Sequence, residues 1–212
     1  MRRQFIESSM KKLMIIAAAA VLFSACQGEP SGSEQAETPA EHQHPTSAPE
    51  AGSAESGAQK KALSPHTSAM AMVGGAHIHI DYSAPSVRNR MIYGGLVALD
   101  EVWVSGAHNA TWLETDKPLK IAGNTLPAGK YALFTIPSAG DWTVIFNRNW
   151  DQHGKDEYEQ SEDVFRFTIK PETLQESKEQ LAYEVNKVSE TAGTISLAWE
   201  TKKISFPFEV VQ

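Results

Sequence analysis

The chain has 212 residues, with 19 Lys and Arg against 26 Asp and Glu, a formal net charge of -7 and a single cysteine. That length allows one modest globular domain and excludes a large multidomain machine. The acidic balance offers no electrostatic footprint for phosphate backbones, so nucleic acid is not an expected partner; one cysteine cannot close an intramolecular disulfide, which leaves stability to an ordinary apolar core.

In chain order, Lys11 and Lys12 precede the apolar run 13–23, which ends in Ser24-Ala25-Cys26. The run is too short to cross a bilayer, which takes roughly 20 residues; a cationic start, an apolar middle and small residues before a cysteine make an export signal. The pattern resembles a bacterial lipoprotein signal, with Met10 as an alternative start. The resemblance implies that residues 1–25 are removed and that Cys26 is the lipidation site. The protein is then held in the bacterial cell envelope, on its periplasmic or outer-membrane side, touching the membrane through the lipid anchor alone. Gln27 stands where an inner-membrane retention signal has aspartate, which favours outer-membrane attachment. Residues 26–61 are rich in Ala, Ser, Gly, Pro, Glu and Gln and nearly devoid of large apolar side chains, so they read as a disordered tether. His42 and His44 lie in it as a weak metal-binding pair or as solvated linker.

From residue 62 to 212 the texture changes to short apolar alternations broken by Gly, Pro, Asn and Asp, the pattern of an all-β domain. In His77-Ile78-His79-Ile80-Asp81-Tyr82 the isoleucines and Tyr82 fall on a buried face and His77, His79 and Asp81 on the other. Further strands are expected over 110–115, 119–122, 130–136, 142–147, 164–170, 181–188, 194–200 and 204–210, which makes an antiparallel β-sandwich of about nine strands. The one helix-like stretch is near 171–178. There is no internal repeat, phosphate-binding glycine loop, glycine-flanked nucleophilic serine or His-Glu-x-x-His helix, so an enzyme is not favoured. The paired carboxylates Asp156-Glu157 and Glu162-Asp163 read as a solvated charged loop.

Over residues 63–212 the chain resembles a family of secreted bacterial proteins known as domain of unknown function 2911. The likeness is carried by Ile80-Asp81-Tyr82, Pro85-Ser86-Val87 with Arg90, Gly94-Gly95-Leu96-Val97, Val102-Trp103, Gly106-Ala107 and Ala110-Thr111. It continues through Thr115-Asp116-Lys117, 126–131, 133–137, 142–147 and the closing Leu197-Ala198-Trp199-Glu200. It implies a secreted β-sandwich and no established activity. Members of that family commonly carry arginine beside the proline of the Tyr-x-x-Pro segment, arginine after Val-Trp and asparagine after Gly-Ala. Here those places hold Ala84, Val104 and His108, and the same region gains His66, Met70, Met72, His77 and His79.

Thioethers and neutral imidazoles are ligands that copper prefers. Two residues apart on one strand, His77 and His79 project to one face with Cα atoms roughly 6.5–7 Å apart. Met70 and Met72 share a face in the same way and would oppose the histidines if residues 73–76 turn a hairpin. The expected ligand set for one copper ion is His66 and His108, helped by His77 or His79 and a methionine, with His153 a further candidate in a loop. A histidine-only set would suit zinc instead. Each residue also has a plainer reading: outward strand polarity for His77 and His79, gap-filling core for Met70 and Met72, a turn hydrogen bond for His108, solvated loop for His153. Copper storage, delivery or resistance is the expected role, through a protein partner the sequence does not identify. The alternative is a metal-free surface-anchored module presenting Trp112 and Trp150 to a sugar or protein, with Trp103, Trp142 and Trp199 reserved for the core.

Overall fold

A computed structural model describes residues 63–212 of the chain. The expectations for Cys26, His42, His44 and the signal and tether segments lie outside the described residues. Ten strands form two antiparallel sheets. The first sheet contains β1 (His66–Val73), β2 (Ala76–Ser83), β3 (Trp112–Thr115), β6 (Gly129–Ile136), β7 (Trp142–Asn147) and β8 (Asp163–Ile169), side by side in that order. The second runs β5 (Asn124–Leu126), β4 (Leu119–Ile121), β10 (Ala192–Val210), β9 (Glu172–Lys187).

Strict alternation builds the interface between the sheets. Ile78 and Ile80 are fully buried and Tyr82 nearly so, and they meet Leu113 and Leu133 from their own sheet and Leu119, Ile121, Leu197 and Phe208 from the other in one continuous core. The β1–β2 hairpin closes through Gly74 and Gly75 at φ +58° and +74°, the two left-handed positions that a tight two-residue turn demands and that glycine fills without a Cβ penalty. Ala122 and Gly123, also at positive φ, turn β4 into β5 in the same manner.

Three expectations are corrected. In the stretch 171–178, rich in the helix formers Glu, Lys and Gln, all but Pro171 belong to β9, because β10 offers a long hydrogen-bonding partner: Thr173 pairs with Lys202 and Lys178 with Glu200. Tertiary pairing overrides the weak helical preference, and the charges left on this edge discourage pairing with another chain. The segments 194–200 and 204–210 are one 19-residue strand, bent by register shifts at Glu200, whose φ is +54°. A third correction concerns the acidic loop, where the Asp163 carboxylate is 8% exposed. It accepts hydrogen bonds from Asn147 Nδ2 at 2.8 Å, Tyr158 Oη at 3.2 Å and the Arg166 guanidinium, so it is a structural hub of the β7–β8 corner.

Between β2 and β3 the chain spends residues 84–111 on an irregular excursion. It is tied to β9 by Val87 N–H to the Glu179 carbonyl and Leu181 N–H to the Pro85 carbonyl, at 2.8 and 2.9 Å, and to β6 by paired Trp103–Thr135 backbone bonds of 2.7 and 3.0 Å.

Candidate metal-ligand face

The outer face of the first sheet is where the candidate ligands gather. Register places Met70 directly opposite His79 and Met72 directly opposite His77, so parity puts all four on the side facing away from Ile78 and Ile80. Met70 is 57% and Met72 58% exposed; neither fills a gap in the core. The imidazoles of His77 and His79 have ring centroids 5.9 Å apart. That separation is what two rings reach when both flank one ion, each nitrogen standing about 2 Å from it.

The rows extend across the sheet. His79 opposes Glu114, which opposes Lys130, and the His79 ring meets Trp112 edge-on at 5.1 Å. Lys130 Nζ lies 3.5 Å from the Trp112 ring centroid and 4.0 Å from that of Trp150, so these two half-buried indoles clamp a cation rather than stand free. Asp116 holds the hairpin end by accepting the His77 backbone N–H at 2.8 Å.

The other candidates stand elsewhere. His66 begins β1 opposite Ser83, and its Nε2 hydrogen-bonds Asp81 Oδ1 at 2.8 Å; the pairs Ser68–Asp81 and Met70–His79 succeed it along the hairpin. His108 and His153 belong to two loops stitched together: Asn109 bridges His153, and Gly154 N–H donates to the His108 carbonyl at 2.7 Å. The His153 ring pairs with Asp156 at 3.1 Å. His108 is exposed and holds φ at +64°. Among the described residues, no three His, Cys, Asp or Glu side chains converge on a point that could hold a metal ion. The structure thus brings Met70, Met72, His77 and His79 together as two cross-strand pairs, and leaves His66, His108 and His153 with other partners.

The substituted positions are also placed. Ala84 is buried, and Val104 packs against the core. Guanidinium character nevertheless persists nearby, because Arg88 and Arg90 line a cavity with Trp103 and Trp199, a grouping the sequence reading did not assemble. Beneath it lies a buried polar chain. Tyr183 Oη donates to the Ser105 carbonyl at 3.0 Å, Thr111 Oγ1 donates to the same carbonyl at 3.3 Å, and the Ser105 and Thr135 hydroxyls are 2.9 Å apart. Burial pushes the Tyr183 phenol well above its ordinary range, so it stays protonated and donates. Trp103, Trp142 and Trp199 are 8%, 2% and 1% exposed, in the core as expected.

Residues 64–208 match the model of a family described as a protein of unknown function, DUF2911. No curated protein and no solved structure matches the chain.

Proposed function

The chain belongs to the DUF2911 family, whose description assigns no activity, and we propose from its own side chains that it is a lipid-anchored copper-binding protein of the bacterial cell envelope. The metal site is the outer face of the β1–β2 hairpin, with Met70, Met72, His77 and His79 as ligands. The observation that carries this reading is the register: two methionines more than half exposed stand directly opposite two histidines on a solvent-facing sheet surface. An exposed methionine pair contributes little to a core, whereas two thioethers and two imidazoles form a soft ligand set suited to copper, the reduced ion above all. A two-residue turn fixes the backbone beneath the four, so that binding orders only their side chains, at about 0.5–1.5 kcal/mol each. Storage or transfer suits such an open, surface-mounted set better than catalysis, because an exposed sheet face does not exclude water from a reacting group.

The test is titration of Cu(I), against a chromophoric competitor, into the chain carrying Cys26→Ser, His42→Gln and His44→Gln. One equivalent should bind, and Met70→Leu/Met72→Leu should weaken binding more than about ten-fold while moving the melting temperature by less than about 2 °C, as expected for exposed positions. His77→Asn/His79→Asn should also weaken it, whereas His66→Asn and His108→Asn should leave it intact. Binding that survives both double variants, or that is lost with His66 and His108, sinks the hairpin site. Zinc binding indifferent to the methionines would move the site to the histidines alone.

A further inference from the structure

The excursion between β2 and β3 contains nine consecutive residues, 91–99, without a charged side chain: Met-Ile-Tyr-Gly-Gly-Leu-Val-Ala-Leu. Backbone hydrogen bonds fold the first seven into a compact loop. Gly94 N–H donates to the Val97 carbonyl at 2.8 Å, Gly95 and Val97 N–H to the Ile92 carbonyl at 3.2 and 2.9 Å, and Leu96 N–H to the Met91 carbonyl at 3.0 Å. Ile92 and Val97 are buried, and the Tyr93 ring packs against Trp103, Trp142 and Trp199. The remainder faces out: Met91 is 73% exposed, Leu96 51% and Leu99 37%. Bare glycine backbone lies between them. A Cβ on Gly95 would stand 2.5 Å from the Met91 carbonyl oxygen, and one on Gly94, at φ +82°, would touch Leu99 at 3.8 Å. Side chains and glycines thus form one continuous apolar tip, and a contiguous apolar surface left in water marks a place of contact.

Two neighbouring features indicate what the tip meets. The first is the place where the chain enters the domain. Ser64 lines the same cavity as Arg88 and Leu96, and the Pro65 carbonyl accepts the Ala84 N–H, at the start of the excursion, at 2.9 Å. Leu63, the first described residue, is itself 65% exposed. The segment that runs back to Cys26 therefore joins the domain beside the tip. The second feature is charge. Arg88, exposed, and Arg90, half-buried, precede the apolar run, and neither forms an ion pair among the described residues. Asp100 and Glu101 follow it, and Glu101 is held by Lys155 at 3.3 Å. Apolar side chains next to unpaired guanidinium groups match acyl chains next to headgroup phosphates. A second copy meeting this tip face to face would instead bring four unpaired guanidinium groups together.

We propose that the tip 91–99 rests on an anionic bilayer surface, with Met91, Leu96 and Leu99 among the upper acyl chains and Arg88 at the phosphates. This depends on the lipid anchoring proposed above. Three side chains bind a bilayer only marginally by themselves, and an anchor that keeps them close makes the contact an intramolecular event. The contact fixes the orientation of the domain on the membrane. His66 begins β1 opposite Ser83, at the entry end of the hairpin, and Met72 lies six residues, about 20 Å, further along the strand. The bilayer is thus met at the entry end of the hairpin, and the contact uses none of the proposed copper ligands.

The test couples the full chain through Cys26, its single cysteine, to a maleimide-headgroup lipid in vesicles of phosphatidylethanolamine and phosphatidylglycerol that also carry a diazirine-bearing phospholipid. The chain is then held at the bilayer whether or not cells acylate it, and acylation is read separately from the mass of the chain isolated from cell membranes. After illumination, cross-links within residues 63–212 should concentrate in 91–99 and spare Val188, which is 70% exposed at the β9–β10 turn. Met91→Asp/Leu96→Asp should lower the yield in that segment about ten-fold, with a melting temperature moved by less than about 2 °C, as expected for exposed positions. Arg88→Gln should lower it on these vesicles and leave it unchanged on phosphatidylcholine alone. Cross-links spread evenly over the domain or centred on another face, or a yield indifferent to the aspartates, would overturn the proposal. So would a dimer of the free chain, seen by sedimentation, that Met91→Asp/Leu96→Asp dissociates, since a second copy would then cover the tip.

Discussion

Adding one methyl group at Gly106 probes whether the excursion is packed as tightly as it looks. A Cβ there would stand 2.6 Å from Thr111 Oγ1 and 3.2 Å from the Ser83 carbonyl oxygen. Both positions are buried. The hydroxyl is no flexible tip, since it branches from the Thr111 Cβ and its torsion moves the methyl into the space it leaves. Gly106→Ala should therefore cost about 2 kcal/mol, the middle of the range for overpacking. Thr111→Ala loses one rather long hydrogen bond to the Ser105 carbonyl, 3.3 Å, for about 1 kcal/mol. Independent effects would sum to about 3 kcal/mol in the double variant. If the clash is the cause, the new Cβ enters the space the threonine vacated and the double costs only about 1.5 kcal/mol, a coupling of about -1.5 kcal/mol. In melting temperature that is a fall of about 6 °C for Gly106→Ala and about 4.5 °C for the double variant. Urea denaturation of the four proteins measures it, provided the slope with denaturant stays constant. Additivity within about 0.5 kcal/mol, or a harmless Gly106→Ala, would refute the reasoning.

Alkaline pH tests the buried tyrosines. Burial raises the pKa of Tyr82, Tyr93 and Tyr183 above the ordinary 10.0. Their contribution to stability is therefore complete below about pH 10 and lost as pH climbs through the folded-state values, by up to about 1.4 kcal/mol per pH unit for each tyrosine. Urea midpoints that stay level between about pH 9.5 and about pH 11.5 would contradict this; Tyr183→Phe should make the decline shallower. At His108, held at φ +64°, asparagine tolerates the left-handed conformation better and should stabilise by a few tenths to about 1 kcal/mol, whereas His108→Val should cost about 1–2 kcal/mol. Thermal melts check both, and a stabilising valine would contradict the backbone assignment.

Local pattern carried far in this chain. Alternation in 77–82 set both faces of β2, and the pairing of Met70 and Met72 with the histidines followed from a hairpin through 73–76. What stayed illegible was non-local. Residues 171–178 carry a helical composition, and only the partner strand β10 makes them extended. Asp163 looks like its acidic neighbours until Asn147, Tyr158 and Arg166 fold around it. The cavity joins Arg88, Trp103 and Trp199 across more than a hundred positions of chain, with no periodicity to announce it. One signal was present: eight of the ten lining residues, Ser64 and Arg88 aside, belong to the segments that carry the family likeness.

The second sheet also dictates an order of events. β10 lies between β4 and β9, and it supplies Ile195, Leu197, Trp199, Phe206 and Phe208 to the core. Its partner β4 precedes it by some seventy positions, and the strand that unites that sheet is the last of the described strands. A growing chain that stops short of residue 192 lacks seven of the 28 buried residues of the main core and leaves β4 without its β10 partner, so these long-range closures come after the other strands have been made. Completion of this domain therefore waits for β10, and until that strand is made the second sheet has no member to join β4 to β9.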